Sequence, residues 1–237
     1  SSTWMSLKLP RLIPHSKPSR TSVTSSLKRR RPAISIPSPT TTPSRTSRAL
    51  VPNAMWTWRH VDNRLDPRQG TVLMGQIGGG SRAALSDQNF VRLHSRFQQY
   101  IPLGRRDTLI LRGELGYTLA DSRHRIPQDY LFRTGGAGTV RGYAYQSLGI
   151  KEGAATVGGR YLAIASAEVT HWLDEDWGVA AFVDAGDAVD SLQDVRLALG
   201  YGLGARWRSP AGPLGVDLSY GERTRGFQLH FSLAIPF

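Results

Sequence analysis

The 237-residue chain contains no cysteine and no run of about 18 uncharged apolar residues. The lack of cysteine fits a compartment in which a free thiol is a liability, and it weakly favours the periplasm or the outer membrane. The lack of a long apolar run excludes a transmembrane helix. A transmembrane strand needs only about ten residues of alternating character, so neither absence excludes a membrane protein that crosses with strands.

Acidic residues are missing from the first part of the chain. Residues 1–50 hold three Lys, seven Arg and no Asp or Glu, and therefore carry most of the formal net charge of +12. Residues 51–237 are almost neutral, with 20 basic and 18 acidic side chains.

The composition of residues 1–50, rich in Ser, Thr, Pro and Arg, predicts a disordered segment, because it cannot bury enough apolar area to offset its ordering entropy. The segment also lacks the apolar core and cleavage site of a secretory signal peptide. Our hypothesis is that it is non-native, the result of truncation or a frame shift. A basic arm for nucleic acid or lipid headgroups is the less favoured alternative.

From about residue 52 the chain consists of segments of alternating character separated by Gly, Pro, Asp and Asn turns, which is typical of an all-β fold. Nine strands are predicted, at 53–61, 70–79, 89–101, 107–119, 159–173, 176–186, 195–208, 213–221 and 226–237. The last of these shows the alternation most clearly, since one of its faces is wholly apolar. That face holds Phe227, Leu229, Phe231, Leu233, Ile235 and Phe237.

The length of the strands favours a membrane barrel over a soluble β-sandwich. In an outer-membrane barrel the apolar face of each strand meets lipid and the other face lines a polar interior. Several of the predicted strands reach eleven residues or more, and their second faces bear Arg, Glu and Gly. The chain also ends on an aromatic residue that closes an amphipathic strand. We therefore predict that residues 51–237 form an antiparallel transmembrane β-barrel, or part of one.

The long connection from Ala120 to Gly158 is the exception in a chain of short turns, and a loop of this length is usually functional or disordered. Its glycine-rich centre presents Val140, Arg141, Gly142 and Tyr143. Strand parity places Glu168 on the inner face of one strand and Phe182, Asp184 and Gly186 on the next. A guanidinium on a loop that folds inward would match the two carboxylates with charge-assisted hydrogen bonds.

These three elements together resemble the barrel of the outer-membrane assembly and transport superfamily whose members carry POTRA domains, also described as the bacterial surface antigen barrel. Three further stretches, at 61–67, 111–117 and 206–214, are similar to its TamA branch, the translocation and assembly module subunit. The resemblance covers about residues 51–237 and implies the C-terminal part of a barrel, about nine of sixteen strands. An open sheet leaves unpaired edges in lipid, so we do not expect this part to close a barrel alone.

The resemblance also implies a function. Members of the superfamily insert or fold client proteins in the bacterial outer membrane, by pairing a client strand at a weak seam between the first and last strands. For this chain it implies client outer-membrane proteins of the autotransporter type, contact with outer-membrane lipid and an inner-membrane or periplasmic partner subunit. The last strand would form the seam and its terminal aromatic an assembly signal. No role in nucleic-acid binding is expected.

Two other functions remain open from the sequence. A two-partner secretion transporter shares the same hallmarks but exports one dedicated soluble protein. A barrel enzyme is the more distant alternative, because no nucleophile elbow or phosphate-binding loop occurs. The histidines lack metal-site spacing, so we expect neither a metal, nor a cofactor, nor catalysis.

Overall fold

The computed structural model describes residues 2–8, 51–84, 86, 88–210 and 212–233. Its strands in chain order are β1 (Ser2–Lys8), β2 (Asn53–Val61), β3 (Gly70–Gly80), β4 (Phe90–Pro102), β5 (Asp107–Leu119), β6 (Ile150–Glu152), β7 (Ala155–Val157), β8 (Tyr161–Trp172), β9 (Trp177–Val189), β10 (Ala198–Ser209), β11 (Gly212–Gly221) and β12 (Gly226–Leu233). Ten of them form one antiparallel sheet in the order β1-β2-β3-β4-β5-β8-β9-β10-β11-β12, and β6 and β7 form a separate hairpin.

The all-β antiparallel prediction is confirmed. Each of the nine predicted strands is present, and the ends agree to within three residues wherever the structure describes them. Residues 1–50 were predicted to be disordered, yet within them Ser2–Lys8 forms a strand that pairs with β2. Residues 9–50 lie outside the described residues, so for them disorder stays a prediction.

The two faces of the sheet differ in the way that the strand alternation predicts. On β8 the side chains of even-numbered residues from Leu162 to Trp172 are buried, and the odd-numbered ones face outward. On β12 the apolar side chains are exposed, with Phe231 at 70%. The outer face is therefore apolar along much of the sheet, whereas carboxylates and arginines lie on the inner face.

The inner face is covered by the connection between β5 and β8, which was predicted only as a long loop. It contains the β6–β7 hairpin and a short 3-10 turn at Gln128–Tyr130, and it is tied to the sheet by isolated bridges such as Phe132 with Gly159. Much of the apolar core joins this loop to the sheet, in a cluster of Phe132, Val140, Tyr143, Leu148, Leu162, Ile164, Ala188 and Ala198.

The connections differ in length at the two ends of the strands. The turn end, as we call it, carries the connections 62–69, 103–106, 173–176 and 210–211, and the loop end carries 81–89, 120–160, 190–197 and 222–225. Among the described residues, no helix is long and apolar enough to cross a membrane.

Candidate functional site

Arg141 lies at the centre of a buried ion network inside the curved sheet. Its side chain grips Asp184 with two hydrogen bonds, from Nε to Oδ2 at 2.7 Å and from Nη2 to Oδ1 at 2.9 Å. The backbone N–H of Arg141 donates to the same carboxylate at 3.0 Å. This arrangement uses the planar fork of a guanidinium, which a lysine cannot reproduce.

Two more carboxylates contact Arg141. Together with Asp184, the side chains of Glu168 and Asp217 surround its guanidinium, and we call this cluster the Arg141 cage. The Nη1 atom of Arg141 donates to Glu168 Oε2 at 2.6 Å and to Asp217 Oδ2 at 3.2 Å. The three acids come from β8, β9 and β11, so a single loop side chain ties three strands together. Arg141 is 2% exposed and Asp184 is fully buried, so bulk water is excluded from the contact.

The cage is electrically balanced by two further arginines. Arg206 on β10 donates to Glu168 at 2.7 Å and to Asp217 at 2.5 Å. Arg112 on β5 lies 3.6 Å from Asp184. Three guanidinium groups thus face three carboxylates, which is what a buried ionic cluster needs if no charge is to be left uncompensated.

The guanidinium of Arg141 also lies over the face of the Phe182 ring. The Arg141 Cζ atom lies 3.4 Å from the ring centroid, within the range of a cation–π contact. Burial by itself would lower the pKa of Arg141, but the hydrogen bonds and charges of Asp184 and Glu168 raise that pKa above its ordinary value. Arg141 is therefore a permanent cation at any physiological pH.

Two glycines allow the loop to reach the wall. Gly142 has a φ of +92°, a conformation that favours glycine, and an added Cβ would lie 2.8 Å from the backbone of Tyr220. On β10, a Cβ at Gly200 would lie 1.7 Å from the carbonyl oxygen of Arg141. The Arg141 side chain can reach its carboxylates only because both positions lack a side chain.

The flanking residues of the loop motif anchor it on both sides. Val140 is fully buried, and its Cγ2 lies 2.8 Å from the place of a Cβ at Gly186. The hydroxyl of Tyr143 donates to the carbonyl of Leu199 at 2.8 Å and accepts from the backbone N–H of Arg223 at 3.0 Å. Apolar packing of Val140 and the hydrogen bonds of Tyr143 therefore fix the backbone on both sides of Arg141.

The structure brings together the predicted loop residues, 140–143, and the predicted wall residues Glu168, Phe182, Asp184 and Gly186. Sequence reasoning missed Asp217 and Arg206 as parts of the network, and it missed His230, whose Nε2 accepts from the backbone N–H of Gly142 at 3.1 Å. Strand parity carried the signal, because all three lie on the polar faces of strands that were already predicted.

The predicted seam residues lie apart from this cage. Phe227, Leu229, Phe231 and Leu233 occupy the exposed face of β12, at the edge of the sheet. Ile235 and Phe237 lie outside the described residues. Within the ranges that the structure covers, no group of three or more His, Asp or Glu side chains is placed to hold a metal ion.

Comparison with known proteins places this geometry in a family. Residues 20–237 match the Omp85 superfamily domain. The chain belongs to the Omp85 superfamily. It is accordingly an outer-membrane β-barrel protein and not an enzyme, as the sequence predicted.

Two individual proteins are similar to this Omp85 chain. The outer membrane protein assembly factor BamA of Nitratidesulfovibrio vulgaris is 29% identical over 174 residues, which cover 69% of this chain and 22% of BamA. The crystal structure of BamA from Haemophilus ducreyi lacking POTRA domains 1-3 superposes with a TM-score of 0.65 at 20% identity, over 79% of this chain and 41% of that one. The chain thus spans about a fifth of the length of the curated relative, and the crystal structure supports the fold.

Proposed function

We propose that this chain is part of an assembly barrel that inserts or folds client outer-membrane proteins, and that the Arg141 cage keeps its C-terminal strands in the shape that this task needs. The observation that carries the proposal is the bidentate, buried contact between Arg141 and Asp184. A charged group buried at this depth is costly unless well-placed opposite charges and hydrogen bonds compensate it, and that requirement fixes how the loop and the strands lie relative to one another. The printed name of the BamA relative, an outer membrane protein assembly factor, points to the same function.

The physical step would be strand addition. Strand β12 lies at an edge of the sheet and presents backbone groups with which a client strand can pair. The loop reaches this strand directly through the contact of Gly142 with His230. The cage therefore holds β8, β9 and β11 in register while the loop supports the edge strand from the inside.

We further propose that the clients are of the autotransporter type, and that the barrel works with an inner-membrane or periplasmic partner subunit. The support for this proposal is the similarity of residues 61–67, 111–117 and 206–214 to the TamA branch. Assembly of an autotransporter barrel, compared with assembly of a barrel that other family members handle, would measure this preference.

The main test compares Arg141→Ala and Asp184→Ala with an Arg133→Ala control in proteoliposomes, with the folded fraction of a client barrel as the readout. Arg133 lies in the same loop and makes no hydrogen bond or ion pair within the described part of the chain. We expect both cage variants to lose client assembly and the control to retain it. Normal client assembly in both cage variants would refute the proposal.

A further inference from the structure

The turn end of the sheet carries a second ion pair that the Arg141 cage does not involve. Arg208, near the end of β10, donates from Nε to Asp66 Oδ2 at 2.6 Å. Asp66 lies at the tip of the connection between β2 and β3, 142 residues earlier. The two partners lie in two of the stretches, 61–67 and 206–214, that resemble the TamA branch.

This contact crosses the interior and does not follow the sheet. Along the sheet, β3 is followed by β4, β5, β8, β9 and β10, so five strand spacings of about 4.8 Å, about 24 Å in all, separate β3 from β10. A hydrogen bond at 2.6 Å between their ends requires the 62–69 turn to lean across the mouth of the curved sheet.

Contacts other than the ion pair also hold the turn that carries Asp66 and the side chain of Arg208 in place. The Oδ1 atom of Asp62 accepts three backbone N–H groups of its own turn, from Asn63, Arg68 and Gln69, at 2.8 to 3.2 Å. The side chain of Asn63 accepts the N–H of Leu65 at 2.9 Å. The turn that carries Asp66 is thus rigid, and little entropy is lost when the ion pair forms.

Arg208 is fixed from two other sides. Its Cζ lies 3.4 Å from the ring centroid of Trp172, and its Nη1 donates to the carbonyl of Glu175 at 2.7 Å. Arginine side chains also link the neighbouring turns by hydrogen bonds to backbone carbonyls. Arg68 Nη2 donates to the carbonyl of Arg105 at 2.6 Å, and Arg106 Nη1 donates to the carbonyl of Leu173 at 3.0 Å. The contacts run from turn to turn, and Asp66 with Arg208 closes them into a ring.

We propose that the Asp66–Arg208 ion pair acts as a latch, that is, a contact that can open and close. When it is closed, it holds the 62–69 turn across the lumen and narrows the opening at the turn end of the sheet. In outer-membrane barrels the short turns face the periplasm, so the latch would restrict passage between the lumen and the periplasm. Each partner is about a quarter exposed, with side chains at 28% and 26%. The latch is thus accessible to water and can open without the burial of an unpaired charge.

The absence of cysteine allows a direct distance measurement. Spin labels on Leu65→Cys and Glu175→Cys, both exposed positions, report the gap between the two turns in the full chain within a lipid bilayer. We expect a single short, narrow distance distribution in the otherwise unchanged protein. Asp66→Asn and Arg208→Gln should each shift the distribution to longer distances and broaden it.

A double variant and a matched control complete the experiment. Asp66→Asn with Arg208→Gln should match either single variant, because groups that act through one contact are not additive. Arg123→Gln removes a comparable ion pair with Glu152 at the loop end and should leave the distance unchanged. Circular dichroism checks that every variant keeps its strand content. Unchanged distances in both single variants, or additive shifts in the double variant, would overturn the latch.

Discussion

Replacing Arg141 by alanine should destabilise the fold more than any other single change in the loop. The substitution removes four side-chain hydrogen bonds to carboxylates and leaves three acids facing only Arg206 and Arg112. One negative charge is then uncompensated in a site where Asp184 is fully buried and the Glu168 side chain is only 10% exposed. Breaking a buried pair in this way costs about 3–5 kcal/mol, and the depth of Arg141 leaves little solvent screening to reduce this.

The measurement is urea unfolding in lipid vesicles, followed by tryptophan fluorescence, with the free energy taken from the midpoint and slope. Arg141→Lys should lower the free energy of unfolding less than Arg141→Ala does, since lysine keeps the positive charge but cannot form the bidentate hydrogen bonds to Asp184. Arg133→Ala should stay within about 0.5 kcal/mol of the unchanged protein, as is usual away from such networks. A loss below about 1 kcal/mol for Arg141→Ala would show that the cage is wet, and the reasoning would fail.

Three further predictions concern the parts around the cage. Gly142→Ala forces a side chain into a left-handed conformation against the backbone of Tyr220 and should cost about 1–3 kcal/mol, seen as faster proteolysis of the loop. His230→Phe removes the acceptor of the Gly142 amide, so the exchange of that amide with deuterium should accelerate. Slight burial would raise the pKa of Asp62, but backbone amides of its own turn lower it below the ordinary value. The ionised Asp62 carboxylate therefore stabilises the turn fully at a pH above the pKa that Asp62 has in the unfolded chain. This stabilisation is lost as the pH falls through the lower pKa that Asp62 has in the folded protein. NMR titration of the turn amides would show no change near neutrality, and a transition there would contradict the assignment.

The strands could be predicted because alternation is a local property of the sequence. The start of β10 differs from its prediction, since the alternation begins at residue 195 but pairing with β9 begins at Ala198. The preceding segment forms a 3-10 turn at Leu192–Asp194, and the N–H of Arg196 donates to Asp187. The end of β9 differs for a related reason, because Gly186 and Asp187 resemble a turn but pair with β8.

The site was predictable in part. The glycine-rich motif and strand parity pointed to Arg141, Glu168 and Asp184, whereas Asp217 and Arg206 have no local feature that distinguishes them from other residues on an inner face. Their role depends on the curvature of the sheet, which brings β10 and β11 close to the loop. The interior of the loop was also beyond prediction, because bridges such as Thr134 with Leu148 follow no periodic pattern.

The long separations within the Arg141 cage determine the order in which the molecule can fold. Its contacts span 27, 43 and 76 residues, and the neighbouring amide of Gly142 reaches a residue 88 positions away. Contacts over such separations are slow to form, because the entropy of closing a long loop is lost before the contacts stabilise the structure. We therefore expect docking of the loop to be a late event in folding, because its contacts with Asp217 and His230 need β11 and β12 to be in place.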